Sequence, residues 1–122
     1  MRVAIIGSRT LSTERDQTAA YALLLENVPT GVTEIISGGA EGVDRLAERY
    51  AREHGLALRV FPPDYLRYGK TAPLRRNDEI IACAQYVLAL WDGLSHGTAY
   101  TVAVCVRDGV PVKVIPLRFF EE

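Results

Sequence analysis

The sequence lacks the features that announce a cofactor, a metal or a membrane. Its two cysteines, Cys83 and Cys105, lie within apolar stretches and form no CxxC pair. That usage points to buried free thiols and away from a disulfide or metal site. There is no HExxH or other metal-ligand spacing, no GxSxG elbow, no GxGxxG after the first apolar run and no Walker-type GK[ST]. Neither NAD(P) oxidoreduction nor ATP hydrolysis is favoured, and no cofactor or metal is expected. No apolar run approaches the ~20 residues of a membrane span. The N-terminal run Val3–Ile6 is too short for a signal-peptide core and enters a strand-turn pattern directly. A cytoplasmic location with no membrane contact is the expectation. Net charge is also small, −1 at pH 7, and a slightly acidic chain without an extended basic stripe weighs against nucleic acid as a partner. Linkers, repeats and low-complexity segments are absent as well.

What is present is one device used three times in 122 residues, a length that predicts a single domain over 1–122. An apolar run breaks into a Gly-rich turn, and a helix-forming stretch follows. The first turn is Gly7-Ser8-Arg9, the second Ser37-Gly38-Gly39-Ala40-Glu41-Gly42-Val43-Asp44, the third Asp92-Gly93-Leu94-Ser95-His96-Gly97-Thr98. Glycine lets backbone approach a ligand closely, and a helix N-terminus offers unpaired N–H groups with partial positive charge. Three such turns in a short chain suggest one crevice for an anionic ligand.

Strands are predicted at 2–7, 32–37, 56–61, 86–90 and 112–115, each Val/Ile/Leu-rich and consistent with burial on both faces. Helical periodicity fills the gaps. Val43, Leu46, Ala47, Tyr50, Ala51 and His54 make an amphipathic stripe; Ala99, Val102, Ala103 and Val106 repeat it before Gly109 and Pro111. Pro73 stands near the start of a helix over 72–84, and a further helix is expected over 13–27. Alternating strands and helices describe a Rossmann-like α/β three-layer sandwich with a five-stranded parallel sheet. Order 3-2-1-4-5 is the first choice and 2-1-3-4-5 the alternative. In the first order the sheet reverses between strands 1 and 4, and ligands sit outside the carboxyl ends of strands at such a point.

The candidate site residues follow from that placement. Ser95, Gly97 and Thr98 could converge hydroxyl and N–H groups on one phosphate, with a Ser helix cap as the plainer reading. Gly7, Ser8 and Arg9 flank them, as do Ser37, Gly38, Gly39 and Ala40. Arg75, Arg76 and Asn77 open the helix over 72–84, where cations oppose the macrodipole unless an anion is bound. Asp44 could bond sugar hydroxyls, act in acid–base chemistry or serve the helix N-terminus. His96 reads equally as an exposed loop residue, and Trp91 as a base platform or a packed residue. His54 reads as a helix C-cap. The aromatic loop Phe61–Lys70 could cover a base or sugar. The basic cluster Arg67, Lys70, Arg75, Arg76 reads equally as a solvated surface. The apolar tail, with Leu117, Phe119 and Phe120, and the helix over 97–107 suggest a homodimer or higher oligomer.

Taken in order, Gly7-Ser8-Arg9, Ser37-Gly38-Gly39-Ala40 with Gly42-Val43-Asp44, Tyr68-Gly69, Arg76-Asn77, and Trp91-Asp92-Gly93 with Ser95 and Gly97-Thr98 resemble the SLOG superfamily, in its small YspA-related branch. The resemblance covers nearly the whole chain and implies binding of a nucleotide or nucleotide-derived small molecule. Relatives include the Lonely Guy phosphoribohydrolases, which cleave the base–ribose bond of nucleoside monophosphates. The SGGAEGVD stretch is also similar to a segment of the DNA-processing protein, which implies a single-stranded DNA module as a further alternative. One departure stands out. The phosphoribohydrolases carry GGxGTxxE, and here Thr101 stands where that motif has its catalytic Glu. The resemblance then implies a binding protein, or an enzyme in which Glu41, Asp44 or Asp92 supplies the acid.

Overall fold

The computed structural model describes residues 1–117. Five strands, β1 (Arg2–Gly7), β2 (Glu34–Ser37), β3 (Ala57–Val60), β4 (Tyr86–Trp91) and β5 (Val112–Pro116), form one parallel sheet in the order β3-β2-β1-β4-β5. The order is the Rossmann-like one expected; the flavodoxin-like alternative is excluded. Helices α1 (Glu14–Asn27), α2 (Val43–Glu53), α3 (Tyr65–Tyr68), α4 (Ala72–Cys83) and α5 (His96–Asp108) connect the strands.

Alternation along the strands divides the core in two. Val3 and Ile5 of β1, Ile35 of β2, and Leu88 and Leu90 of β4 pack against Ala20, Tyr21 and Leu24 of α1 and Leu46, Ala47 and Tyr50 of α2. Ala4, Ile6, Ile36, Val87 and Ala89 face the other way, onto Ile80 and Ile81 of α4 and Val104 and Cys105 of α5. Each central strand is thus apolar on both faces because each face meets a helix layer.

The edge strands depart from the expectation of two buried faces. All of β3 is exposed, and β5 is exposed or half-buried. An edge strand has a neighbour on one side only, and the helices centre on the interior strands, so Leu58 and Val60 keep much of their surface in water. The second strand also starts two residues later than read from the sequence, at Glu34, with Thr33 bonding Met1.

Two glycines set how closely α2 approaches the sheet. A Cβ on Gly7 would overlap the Leu90 carbonyl and the Val43 side chain. Gly42, at φ +77°, lies against the backbone of Ser8 and Arg9, and Val43 N–H donates to Ser8 O at 3.0 Å. The first two Gly-rich turns are therefore interlocked. Leu117, the last described residue, packs against the cluster that includes Leu24 of α1, and its N–H donates to Trp91 O. Phe119 and Phe120, on which the tail-mediated association reading rested, lie outside the described residues.

Candidate functional site

The carboxyl ends of β1, β2 and β4 meet at one edge of the sheet, and a side-chain network there fixes the three turns together. Ser8 Oγ donates to Asp92 Oδ2 at 3.1 Å, across the reversal between β1 and β4. Asp92 Oδ1 accepts the N–H groups of Leu94 and Ser95, both at 2.8 Å. Burial pushes the Asp92 carboxyl up, but these two N–H groups and the Ser8 hydroxyl outweigh it and hold the group below the usual carboxylate range. Asp92 is an ionised brace and does not line the cleft. Trp91 is tied in the same way, its indole N–H donating to Ser95 O at 3.0 Å.

This brace leaves the start of α5 open. Ser95 occupies the N-cap but its hydroxyl accepts no backbone N–H of the first turn; it accepts the Thr98 hydroxyl instead, at 3.3 Å. The first-turn N–H groups of His96, Gly97 and Thr98 have no intrahelical acceptor, as in any helix. Of this turn, Ser95, Gly97 and Thr98 border a cavity of about 50 Å³ whose other lining residues are Ile6, Gly7, Arg9, Ala40, Asp44, Arg76, Asn77, Ile80 and Thr101. At about 30 Å³ per water, that volume holds about two waters, a space for one small anion and no ring.

The opposite wall is Arg76, on the first turns of α4 and only 5% exposed. Its Nη1 donates to the carbonyls of Gly38 and Phe61, and its Nε to Asn77 Oδ1 at 2.8 Å. Nη2 makes no hydrogen bond among the described residues, and the Arg76 side chain lines the cavity. Burial lowers the Arg76 pKa, and Asp44 opposes that shift. Arg9 is exposed at the cavity mouth and makes no hydrogen bond or ion pair among the described residues.

Asp44, 7% exposed, is the one carboxylate lining this small cavity among the described residues. Its Oδ2 accepts the Ala40 N–H at 3.1 Å. Burial pushes its pKa up to about 6, against the pull of that N–H and of Arg76. Gly38 lies between the Arg76 guanidinium and the Asp44 carboxylate, so close that a Cβ there would meet both. Ser37 is buried and lines no cavity; its hydroxyl donates to Asp44 O and accepts from Gly39 N–H.

Two larger hollows adjoin the small one and share Arg9 with it. One, about 500 Å³, is bounded by Gly38, Gly39, Ala40, Glu41, Pro63, Tyr65 and Arg76. The other, about 400 Å³, lies between Thr10–Ser12 and the start of α2. Glu41 reaches both and is mostly solvated, 3.7 Å from Arg45.

Of the basic cluster read from the sequence, only Arg76 lines a cleft cavity. Arg67 and Arg75 lie over the Tyr68 ring, at 5.1 and 5.7 Å from its centroid. His96 lines none of these cavities, and His54 caps α2, its Nδ1 2.9 Å from Tyr50 O. Ile6, Ile80 and Thr101 were not singled out as lining residues. The first two looked like core, and Thr101 stands one turn beyond Thr98 on the same helix face. The loop Phe61–Lys70 is not irregular throughout: Asp64 caps the four-residue α3, Oδ1 accepting Arg67 N–H at 3.1 Å.

Residues 1–68 match the YspA, cpYpsA-related SLOG family. The chain belongs to that family. It is also 33% identical to the Gene 61 protein of Mycobacterium phage D29, over 91% of this chain and 93% of that protein. The fold is that of DNA processing protein A. The Streptococcus pneumoniae structure matches with TM-score 0.74 at 20% identity over 98% of this SLOG chain, which spans about half (52%) of that protein. The Helicobacter pylori protein, described by its single-stranded DNA binding mode, matches with TM-score 0.71 at 24% identity, over 100% of this chain and 68% of that one. The expectation against a nucleic-acid partner is corrected by this likeness. Its physical fault was to use total charge: a net charge near zero says nothing of a cleft that concentrates Arg9 and Arg76 beside an open helix N-terminus.

Among the described residues, no helix is long and apolar enough to cross a membrane.

Proposed function

We propose that this SLOG chain binds a nucleotide through its phosphate, in the small cavity between α5 and Arg76. The observation that carries the reading is Arg76: a cationic residue 5% exposed that lines a small cavity, with one guanidinium nitrogen unpartnered among the described residues. Placing a cation there goes against the α4 macrodipole and against burial, and an anion relieves both. The first turn of α5 supplies N–H donors from the facing side. Arg9 adds an exposed charge at the mouth.

A second reading concerns the form of the ligand. The same phosphate could belong to single-stranded DNA, and the fold shared with DNA processing protein A favours testing it. Thermal-shift titration with mono-, di- and cyclic nucleotides and ADP-ribose tests the small-molecule form. Fluorescence anisotropy with a labelled single-stranded oligonucleotide at low salt tests the polymer. Stabilisation or binding by one of them, lost in Thr98→Asp, is the expected result. No response to any phosphorylated compound at millimolar concentration would refute the proposal. Free base released from nucleoside monophosphates, and abolished in Asp44→Asn, would move the reading from binding to N-glycosidic cleavage.

A further inference from the structure

Resting on the phosphate reading, we infer that the adjoining hollow of about 500 Å³, walled by Gly38–Glu41, Pro63 and Tyr65, is a nucleobase subsite with the Tyr65 ring as its stacking platform. The small cavity is too small for a nucleobase ring, so the rest of a nucleotide must lie outside it, in an adjoining space. Arg9, Ala40 and Arg76 are walls common to both spaces. A ligand anchored on Arg76 therefore lies directly beside the larger hollow.

That hollow has the chemistry of a base site. Tyr65 is 57% exposed, a large ring left in water with no hydrogen bond from its hydroxyl among the described residues. Tyr65 and Arg76 both wall this hollow, so platform and phosphate anchor border one space. The facing wall, Gly38-Gly39-Ala40, carries almost no side chain and lets a flat ring come against backbone. Pro63 adds an apolar edge, and the solvated Glu41 carboxylate is an acceptor at the rim for an exocyclic amine. The ring is also presented by a held element, since Asp64 caps α3 and Tyr68 N–H donates to Asp64 O at 3.0 Å. Every nucleobase has a π-face, so stacking of this kind tolerates either a purine or a pyrimidine.

Isothermal titration with ribose 5-phosphate, AMP and UMP separates the parts. The phosphate reading alone requires ribose 5-phosphate to bind, with loss in Arg76→Ala. The base subsite requires AMP or UMP to bind on the order of 10-fold more tightly than ribose 5-phosphate. Tyr65→Ala should erase that difference and leave ribose 5-phosphate affinity unchanged; Tyr65→Phe should keep it. Equal affinity for all three ligands overturns the subsite and leaves the phosphate reading standing. A preference for nucleotides that survives Tyr65→Ala places the base elsewhere and overturns it too, as does an equal loss for all ligands. If no ligand binds at all, the phosphate reading fails and the subsite with it.

Discussion

Arg76 does two things at once, and the two can be pulled apart. Its Nη1 and Nε hold the β2 turn, the end of β3 and α4 together, whereas Nη2 has no hydrogen-bond partner among the described residues and the side chain lines the cavity. Arg76→Ala leaves the Gly38 carbonyl without its donor in a buried place, a loss of about 1–3 kcal/mol, besides removing the proposed anion anchor. Arg9 has no such structural partners. Arg9→Ala should weaken phosphate binding while unfolding free energy, measured by urea denaturation, changes by less than about 0.5 kcal/mol. Asp44 gives a second test at this scale. Its folded pKa, about 6, lies above the unfolded carboxyl value. The stability it contributes is therefore fully present below about pH 4 and is lost as pH rises through 6. The difference is about 3 kcal/mol. Asp44→Asn should be more stable than the parent at pH 7, with the gap closing toward pH 4 in denaturation series. Neutralising Asp44 also removes a negative charge facing the bound anion, so phosphate affinity of the parent should rise between pH 7 and 5.

At the scale of elements, the joint between β1 and α2 decides whether the turns meet. Gly7 lies under Val43 and beside the Leu90 carbonyl, with no room for a Cβ. Gly7→Ala must push α2 or β4 aside, and overpacking of this kind costs about 1–3 kcal/mol. Because Val43 N–H bonds Ser8 O and Ser8 bonds Asp92, the displacement should carry into the α5 turn. Loss of phosphate binding together with a lowered thermal midpoint is expected; full binding in a destabilised variant would show that the turns are not coupled. The α5 turn itself is shaped by Asp92, which takes the N–H groups of Leu94 and Ser95.

For the molecule as a whole, the near-zero net charge hides a polarity, with Arg9 and Arg76 gathered at the carboxyl edge of the sheet. A single strand passing that edge would meet few cations. Two phosphate contacts predict a slope of about −1.4 in log affinity against log salt, and Arg9→Ala should flatten it by about 0.7. Anisotropy titrations at several salt concentrations read both numbers. A steep slope in the Arg9→Ala variant would place the polymer on some other surface.

The sheet and its order were legible in the residues because hydrophobic period and turn chemistry are local properties. Val3–Ile6, Ile35-Ile36 and Val87–Leu90 are apolar at successive positions, which only a strand covered on both faces requires. The Gly-rich turns that follow them mark the edge where a ligand would sit, and right-handed crossovers leave few ways to arrange the rest. What each polar residue does there was decided by tertiary structure alone. Asp92 and Asp44 read alike as acids in turns, but one is held ionised by three donors and the other is buried with one backbone donor and a pKa near 6. Arg75 and Arg76 are neighbours in the chain, yet one lies over the Tyr68 ring and the other enters the core to bond Gly38. The Asp44 carboxylate is set apart by burial, and Arg76 and the Ser8–Asp92 bond by partners 15 to 84 positions away; no local pattern carries that information.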